Sequence, residues 1–379
     1  FETLKDDFAM HTLAEVITET HKAIAGKLNL FNASGAKRKY LQECLGILNQ
    51  EIRKNEETNL LERNLLQRIF NVWNSIISSE LEKFIKIKNS YMAGLPLPPG
   101  SPLFFGRQDI FSWITEKLRG GDKQFFILYG SAHTGKTSIL KQLQFGSPHL
   151  PNSGRIFPVF IDLQSFKDPG TDNFLFRLAQ TIHLELQQAG LLLPEMPSKQ
   201  YFSEGAFGGF SEFLKKLVDT IRQKEDCSLL LMLDEFESLG DLVKTGKLDS
   251  DIFVYLRSIM QHQEFVSFIV AGRKHFNDLP PENRIPILDI GENNIREVGF
   301  LDQVEAEKLI THPVLDFGVN FDDEVKESIF KVTNGHPYFI QQICSNCMEI
   351  LNKTQKDYNV TPNVLEAAMD LLFNHGETT

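Results

Sequence analysis

The chain has 379 residues, 42% of them hydrophobic and 23% charged, with a formal net charge of -11. That length holds two or three domains of ordinary size, and the composition is that of a folded globular protein rather than a disordered one. The acidic balance, with no basic cluster longer than Lys37-Arg38-Lys39, argues against non-specific nucleic-acid binding.

Four cysteines are too few for a disulfide framework, and no apolar run reaches the roughly 18 residues that a membrane span needs. No signal peptide opens the chain, so a reduced, cytoplasmic setting without membrane attachment is the expectation. An opening Phe1 in place of Met suggests a segment of something longer.

Residues 1–93 read as a helical bundle or arm. Leu41, Cys44, Leu45, Leu48 and Ile52 form one apolar stripe at helical period. Leu61, Leu65, Ile69, Trp73, Ile76, Ile77, Leu81 and Phe84 form a second, and Leu13, Val16, Ile17 and Ile24 a weaker third. Such stripes must be buried against one another or against a neighbour, which makes this region the candidate surface for a protein partner. Pro96, Pro98, Pro99 and Pro102 then fix φ and remove donors, so 94–103 reads as an extended linker.

From 104 to 300 short apolar runs alternate with helical patterns, the signature of a parallel sheet flanked by helices. Strands are expected at Phe125–Tyr129, Ile156–Asp162, Leu229–Leu233, Phe265–Ala271 and near Ile295–Phe300. Helices are expected at Asp109–Lys117, Lys136–Leu143, Asp172–Gln188, Phe210–Gln223 and Ile252–His262, with Gly205–Gly209 as a loop. Beyond 300 no further strand is expected. Asp302 with Glu305, and Thr361 before Pro362, read as helix starts in a helical domain over 301–379. Cys344 and Cys347 fall beside Ile340 and Ile343 at helical spacing and read as core positions rather than zinc ligands.

The chemistry concentrates in two places. Gly130-Ser131-Ala132-His133-Thr134-Gly135-Lys136-Thr137, followed by Ser138, matches G-x-x-x-x-G-K-[ST] between an apolar strand and a helix. Glycines let backbone N–H groups curl inward onto phosphate oxygens, and the helix N-terminus adds positive partial charge. Lys136 is placed to reach the β- and γ-phosphates of ATP, and the Thr137 hydroxyl to ligate Mg2+. Leu229–Leu233 then ends in Asp234-Glu235. Asp234 suits the Mg2+ site, and Glu235 suits the general-base task on an attacking water. Arg273, at the end of another buried strand, is either a sensor of the γ-phosphate or a surface arginine. His133 sits at a loop position that accepts many residues and reads as filler.

Phe105-Gly106-Arg107, the phosphate loop, Leu233-Asp234-Glu235-Phe236-Glu237 and Gly335-His336-Pro337 together resemble the STAND class of signal-transduction ATPases, relatives of the AAA+ and origin-recognition ATPases. The stretch Asn89-Ser90-Tyr91-Met92-Ala93-Gly94 leading to Phe105-Gly106-Arg107 looks like its prokaryotic branch. The resemblance covers about 90–375. It implies an additional-catalytic-glutamate (ASCE) P-loop sheet with 156–162 inserted between the two nucleotide motifs, and a helical lid over 301–379. It also implies that Phe105 and Arg107 approach the adenine, that His336 and Pro337 close the site, and that the chain is a switch. ADP would hold a compact form and ATP an oligomerising one. The rival readings are a DNA-associated ATPase of the origin-recognition kind, a small-molecule kinase, and a nucleotide-binding scaffold with negligible turnover.

Overall fold

The computed structural model describes residues 40–46, 60–82, 87–120, 123–144, 148–150, 155–225, 227–273, 292–354 and 358–375. The stripe Leu13, Val16, Ile17 and Ile24, the basic cluster 37–39, and Leu48 and Ile52 lie outside them. In chain order the helices are α1 (40–46) and α2 (Leu60–Glu82), α3 (Gln108–Arg119), α4 (Lys136–Gln142), α5 (Thr171–Gln188), α6 (Lys199–Glu204), α7 (Ala206–Glu225), α8 (Glu237–Lys244), α9 (Asp251–His262), α10 (Gln303–Thr311), α11 (Asp323–Thr333), α12 (Pro337–Thr354) and α13 (Pro362–His375). The strands are β1 (Phe125–Tyr129), β2 (Arg155–Asp162), β3 (Cys227–Asp234), β4 (Val266–Gly272), β5 (Ile295–Glu297), β6 (Asn320–Phe321) and β7 (Asn359–Val360).

Contacts divide the chain into two compact units: Gly94–Glu305 with Asn334–Tyr338, and Phe1–Ala93 with Ala306–Thr333 and Phe339–Thr379. The first is a three-layer α/β/α unit around a parallel sheet of order β2-β3-β4-β1-β5. β3 and β4 are buried on both faces, which is why they read as unbroken apolar runs. Their side chains alternate between two cores. Leu229, Leu231, Leu233, Phe268 and Val270 pack with Phe174, Leu178, Phe210 and Leu217 of α5 and α7. Leu230, Met232 and Ile269 pack with Ile110, Ile114, Ile139 and Leu140 of α3 and α4.

All five expected core strands form. β5 stops at Glu297, short of the expected Phe300, because its sheet partner β1 ends opposite it at Tyr129. In sequence β2 is the strand inserted between the two nucleotide motifs, but in space it lies at the sheet edge. The strand that separates β1 from β3 is β4.

Two expectations are corrected. Gly205–Gly209 is not a loop: only Gly205 separates α6 from α7, and Gly208 and Gly209 lie inside α7. Each helical glycine costs about 1 kcal/mol against alanine. The buried rings of Phe210 and Phe213 offset this, and Gly209 admits the Tyr201 ring, which an added Cβ would meet at 3.3 Å. Strands also do not stop at 300, since β6 and β7 pair in parallel. Two residues apiece leave no periodic signal.

The proline-rich stretch is irregular, as its prolines dictate, yet it is not a loose tether. Leu97 and Leu103 are buried. The Leu97 N–H donates to Ser138 Oγ at 3.0 Å, and the Gly100 N–H donates to Gln142 Oε1 at 2.9 Å.

In the second unit α1 and α2 share a small core of Leu41, Cys44 and Ile77 with Phe70 and Trp73 beside it. Asn352 brackets Ile87, accepting from its N–H at 2.7 Å and donating to its carbonyl at 2.9 Å. Cys344 and Cys347 are fully buried in α12, and burial pushes the Cys347 thiol up to about 12. Among the described residues no helix is long and apolar enough to cross a membrane.

Leu231→Ala, at the shared centre of the sheet, is expected to lower the unfolding free energy by about 2–5 kcal/mol. Leu184→Ala, on the exposed side of α5, should change it by less than about 0.5 kcal/mol. Urea denaturation of the two variants checks the difference.

Candidate nucleotide site

The carboxyl edge of the sheet gathers nearly every residue the sequence singles out. β1 ends at Tyr129 and the loop begins at Gly130, where an added Cβ would lie 2.5 Å from the Val298 carbonyl oxygen. Positive φ at His133 (60°) and Gly135 (99°) curls the backbone, and the space a Cβ on Gly135 would enter holds nothing within 4 Å. This is a concave nest of the kind that binds anions through backbone N–H groups, opening onto the N-terminus of α4.

Lys136 is buried, and its Nζ donates to the carbonyls of Gly130 and Ser131, both at 2.8 Å. Burial lowers its pKa from the usual range, against the pull of Glu235, Glu237 and Asp234. The ammonium is thus satisfied by its own loop, at short range from any phosphate lodged there. The side chain of Ser138 faces elsewhere, toward the backbone of Leu97.

Thr137 and Asp234 meet across the strand that separates them: Thr137 Oγ1 donates to Asp234 Oδ2 at 2.6 Å. Asp234 is almost wholly buried, and its other oxygen, Oδ1, has no hydrogen-bond partner. Burial raises its pKa, opposed by the Thr137 hydroxyl and the Glu235 backbone N–H and reinforced by the charges of Glu235 and Asp162. Asp162 is the register partner of Asp234 on β2, a neighbour that the sequence reading did not identify. A buried, half-satisfied carboxylate beside a hydroxyl fits a hard divalent cation. Among the described residues no group of three His, Cys, Asp or Glu could hold a metal by itself.

Glu235 leaves the strand with φ of 51°, a left-handed turn held by the Phe236 N–H donating to the Ala271 carbonyl at 3.0 Å. Its Oε2 lies 3.4 Å from a terminal nitrogen of Arg273, so the strand-end arginine does reach the site.

Arg107 is buried at φ of 69°, and its guanidinium donates to the Thr134 carbonyl at 3.0 Å. Burial lowers its pKa, with Glu305 and Asp109 opposing. In this structure it braces the phosphate loop itself. Phe105 beside it is half-buried. Gly106 is favoured by its φ of 75°, where any side chain is strained, and an added Cβ would also displace the Glu305 carboxyl 2.2 Å away.

Asn334–Tyr338 belongs to the same unit. Gly335, at φ of 78°, allows a Cβ only 2.0 Å from the Leu301 carbonyl oxygen, and its own carbonyl accepts from the Leu301 N–H at 2.9 Å. The His336 ring is hydrogen-bonded to the Ala132 backbone and lies 4.8 Å from the Phe300 ring, with its pKa lowered by burial. Pro337 opens α12, and Tyr338 stacks on His133 at 4.9 Å. His133, read from sequence as filler, therefore has a packing partner that only tertiary contact could reveal.

A P-loop strand and an acidic strand separated by one intervening strand in a parallel sheet define a P-loop NTPase of the additional-glutamate division. The family model described as Novel STAND NTPase 1 matches residues 100–340, and the chain belongs to that family. It is 18% identical over 237 residues to an uncharacterized ATP-binding protein of Methanocaldococcus jannaschii. That match covers 56% of this chain and spans only 58% of the relative's length.

Among solved structures, a Walker-type ATPase of Pyrococcus abyssi superposes with a TM-score of 0.50 at 13% identity, over 75% of this chain and 77% of that one. The ORC1 protein of Aeropyrum pernix, in complex with DNA, gives 0.45 at 16% identity, over 73% and 66%. At 13% identity the likeness to the Pyrococcus abyssi ATPase is one of fold.

Asp234→Asn is expected to stabilise the nucleotide-free protein while weakening any Mg2+-dependent binding. The folded-state pKa of Asp234 is raised, so the cost of its buried charge sets in as pH rises through that value. The gain in thermal midpoint on substitution should therefore be larger at pH 8 than near pH 4, close to the ordinary aspartate value. Thermal unfolding of both proteins at the two pH values, without nucleotide, measures it.

Proposed function

We propose that this chain binds ATP with Mg2+ and hydrolyses it slowly, as a switch that couples nucleotide state to self-association or to a protein partner. The observation that carries the reading is the buried Thr137–Asp234 contact with its unpartnered Asp234 oxygen, beside Lys136 and Glu235. In this reading the loop N–H groups of Gly130–Thr137 and the start of α4 hold the phosphates. Lys136 exchanges its two loop carbonyls for phosphate oxygens. Thr137 and Asp234 hold Mg2+, which when bound offsets phosphate charge.

Glu235 orients a water and accepts its proton as the water oxygen bonds to the γ-phosphorus. The bond from that phosphorus to the bridging oxygen breaks, leaving ADP and phosphate. Arg273 faces the γ-phosphate. Phe105, Gly106, Arg107, His336 and Pro337 bound the nucleotide beyond the phosphates. His336 and Tyr338 touch the loop at Ala132 and His133 immediately before and within the first turn of α12. A loop that reshapes around phosphate therefore biases where that helix begins, which is the kind of differential contact a two-state switch needs.

Lys136→Ala and Glu235→Gln are each expected to lower phosphate release by about a hundredfold or more. Lys136→Ala should abolish nucleotide binding, and Glu235→Gln should retain it. Light scattering with ADP, with ATP-Mg2+, and with ATP-Mg2+ on Glu235→Gln reads the switch. Larger assemblies with ATP, trapped by Glu235→Gln, support it, and one size in every state removes self-association. Binding without release by the unaltered chain would leave a nucleotide scaffold. A labelled DNA duplex at low and high salt tests the origin-recognition alternative, against which the net charge of -11 weighs.

A further inference from the structure

Three residues past Asp234, a carboxylate unused in the reading above lies against the arginine at the end of β4. Glu237 opens α8. Its Oε1 accepts a hydrogen bond from the Arg273 backbone N–H at 3.2 Å and lies 3.4 Å from Arg273 Nε. The same guanidinium reaches Glu235 Oε2 with a terminal nitrogen, also at 3.4 Å. Gly272 permits the approach, since an added Cβ there would stand 2.9 Å from Glu237 Oε2.

One guanidinium is thus shared by two carboxylates on unequal terms. Glu237 holds it at a backbone atom and at the inner nitrogen, whereas Glu235 meets only the outer end. The side chain of Arg273 is 53% exposed, against 23% for Glu235 and 28% for Glu237. An ion pair that exposed is weak and readily exchanged, and the more highly charged terminal phosphate offers the outer nitrogen a stronger charge-assisted acceptor. The backbone clasp by Glu237 need not break for that exchange.

We propose that Glu237 is a positioning residue: it clasps Arg273 at two atoms and leaves the outer guanidinium nitrogen to alternate between Glu235 and the terminal phosphate of a nucleoside triphosphate. With ADP the arginine stays on Glu235 and keeps that carboxylate engaged. With a triphosphate the nitrogen leaves for the phosphate, and Glu235 is released to take the proton of the water. The inference rests on the proposed reading of Glu235 and Arg273, and it adds a reason why the base is free only when there is something to hydrolyse.

The test is a double-mutant cycle on the full chain with Glu237→Ala, Arg273→Ala and both. Two quantities are read: the affinity ratio between ADP and a non-hydrolysable ATP analogue, each with Mg2+, by displacement of a fluorescent nucleotide, and steady-state phosphate release. Glu237→Ala should cut the preference for the analogue by about threefold or more and kcat by about tenfold, with KM within about twofold. In the Arg273→Ala background it should change both by less than about twofold.

An equal effect in both backgrounds, or an unchanged preference in Glu237→Ala, overturns the proposal. Should the alanine variant not fold, the isosteric Glu237→Gln carries the same comparison. The binding arm needs no turnover. If phosphate release is unaffected by Glu235→Gln, the reading of Glu235 as base falls separately from the Glu237–Arg273 coupling.

Discussion

The site depends on one buried carboxylate. Asp234 stands at the end of a strand apolar on both faces, where desolvation disfavours its charge, and the Thr137 hydroxyl and the Glu235 backbone N–H leave its Oδ1 unpartnered. Burying an ion without full compensation is expensive, so the position has to be held by the rest of the fold. The parallel register of β3 with β4, and of β4 with β1, fixes the distance between the phosphate loop and the acidic strand end. The two cores above and below the sheet keep that register from slipping. A partly uncompensated carboxylate on so rigid a frame is the kind of group that a cation would complete.

Backbone strain is concentrated at the same edge. Among the described residues five that are not glycine have positive φ, and four of them, Arg107, His133, Glu235 and Asn334, belong to the site or its approach. Such conformations cost of order 1–3 kcal/mol each unless the surroundings over-determine them. Here the surroundings are visible: a loop carbonyl for Arg107, an aromatic stack for His133, a strand carbonyl behind Glu235 for the Phe236 N–H, and the Leu301–Gly335 bond beside Asn334.

What was legible in the sequence was whatever a few consecutive residues encode. The glycine spacing of the phosphate loop, the unbroken apolar runs of β3 and β4, and the Asp302 cap, whose side chain accepts from the Glu305 N–H at 2.8 Å, are local statements. The family was carried by Phe105-Gly106-Arg107, the phosphate loop, Leu233–Glu237 and Gly335-His336-Pro337 taken together.

Less legible was anything that needs two distant segments. Arg273 could be suspected, but its sharing by Glu235 and Glu237 could not, because the pairing is made by strand order. Tyr338 gave no signal at all, since an aromatic at a helix start usually belongs to a core. Gly208 and Gly209 misled for the opposite reason: local propensity argued for a loop, and the burial of Phe210 and Phe213 overrode it.

The anchoring of the proline-rich stretch has a mechanical side. The chain enters the core through Leu97 and Gly100, each bonded to a side chain of α4, the helix that begins in the phosphate loop. Gln142 Nε2 also donates to the Pro98 carbonyl at 2.7 Å and to the Leu97 carbonyl at 3.5 Å. Tension on the polypeptide before residue 94 would therefore load the few bonds to α4 ahead of the sheet, where a strand ladder shares a pull among many. The lever arm from Ser138 back to Thr137 is one residue long. In this architecture the nucleotide pocket is also the point where the incoming chain is moored.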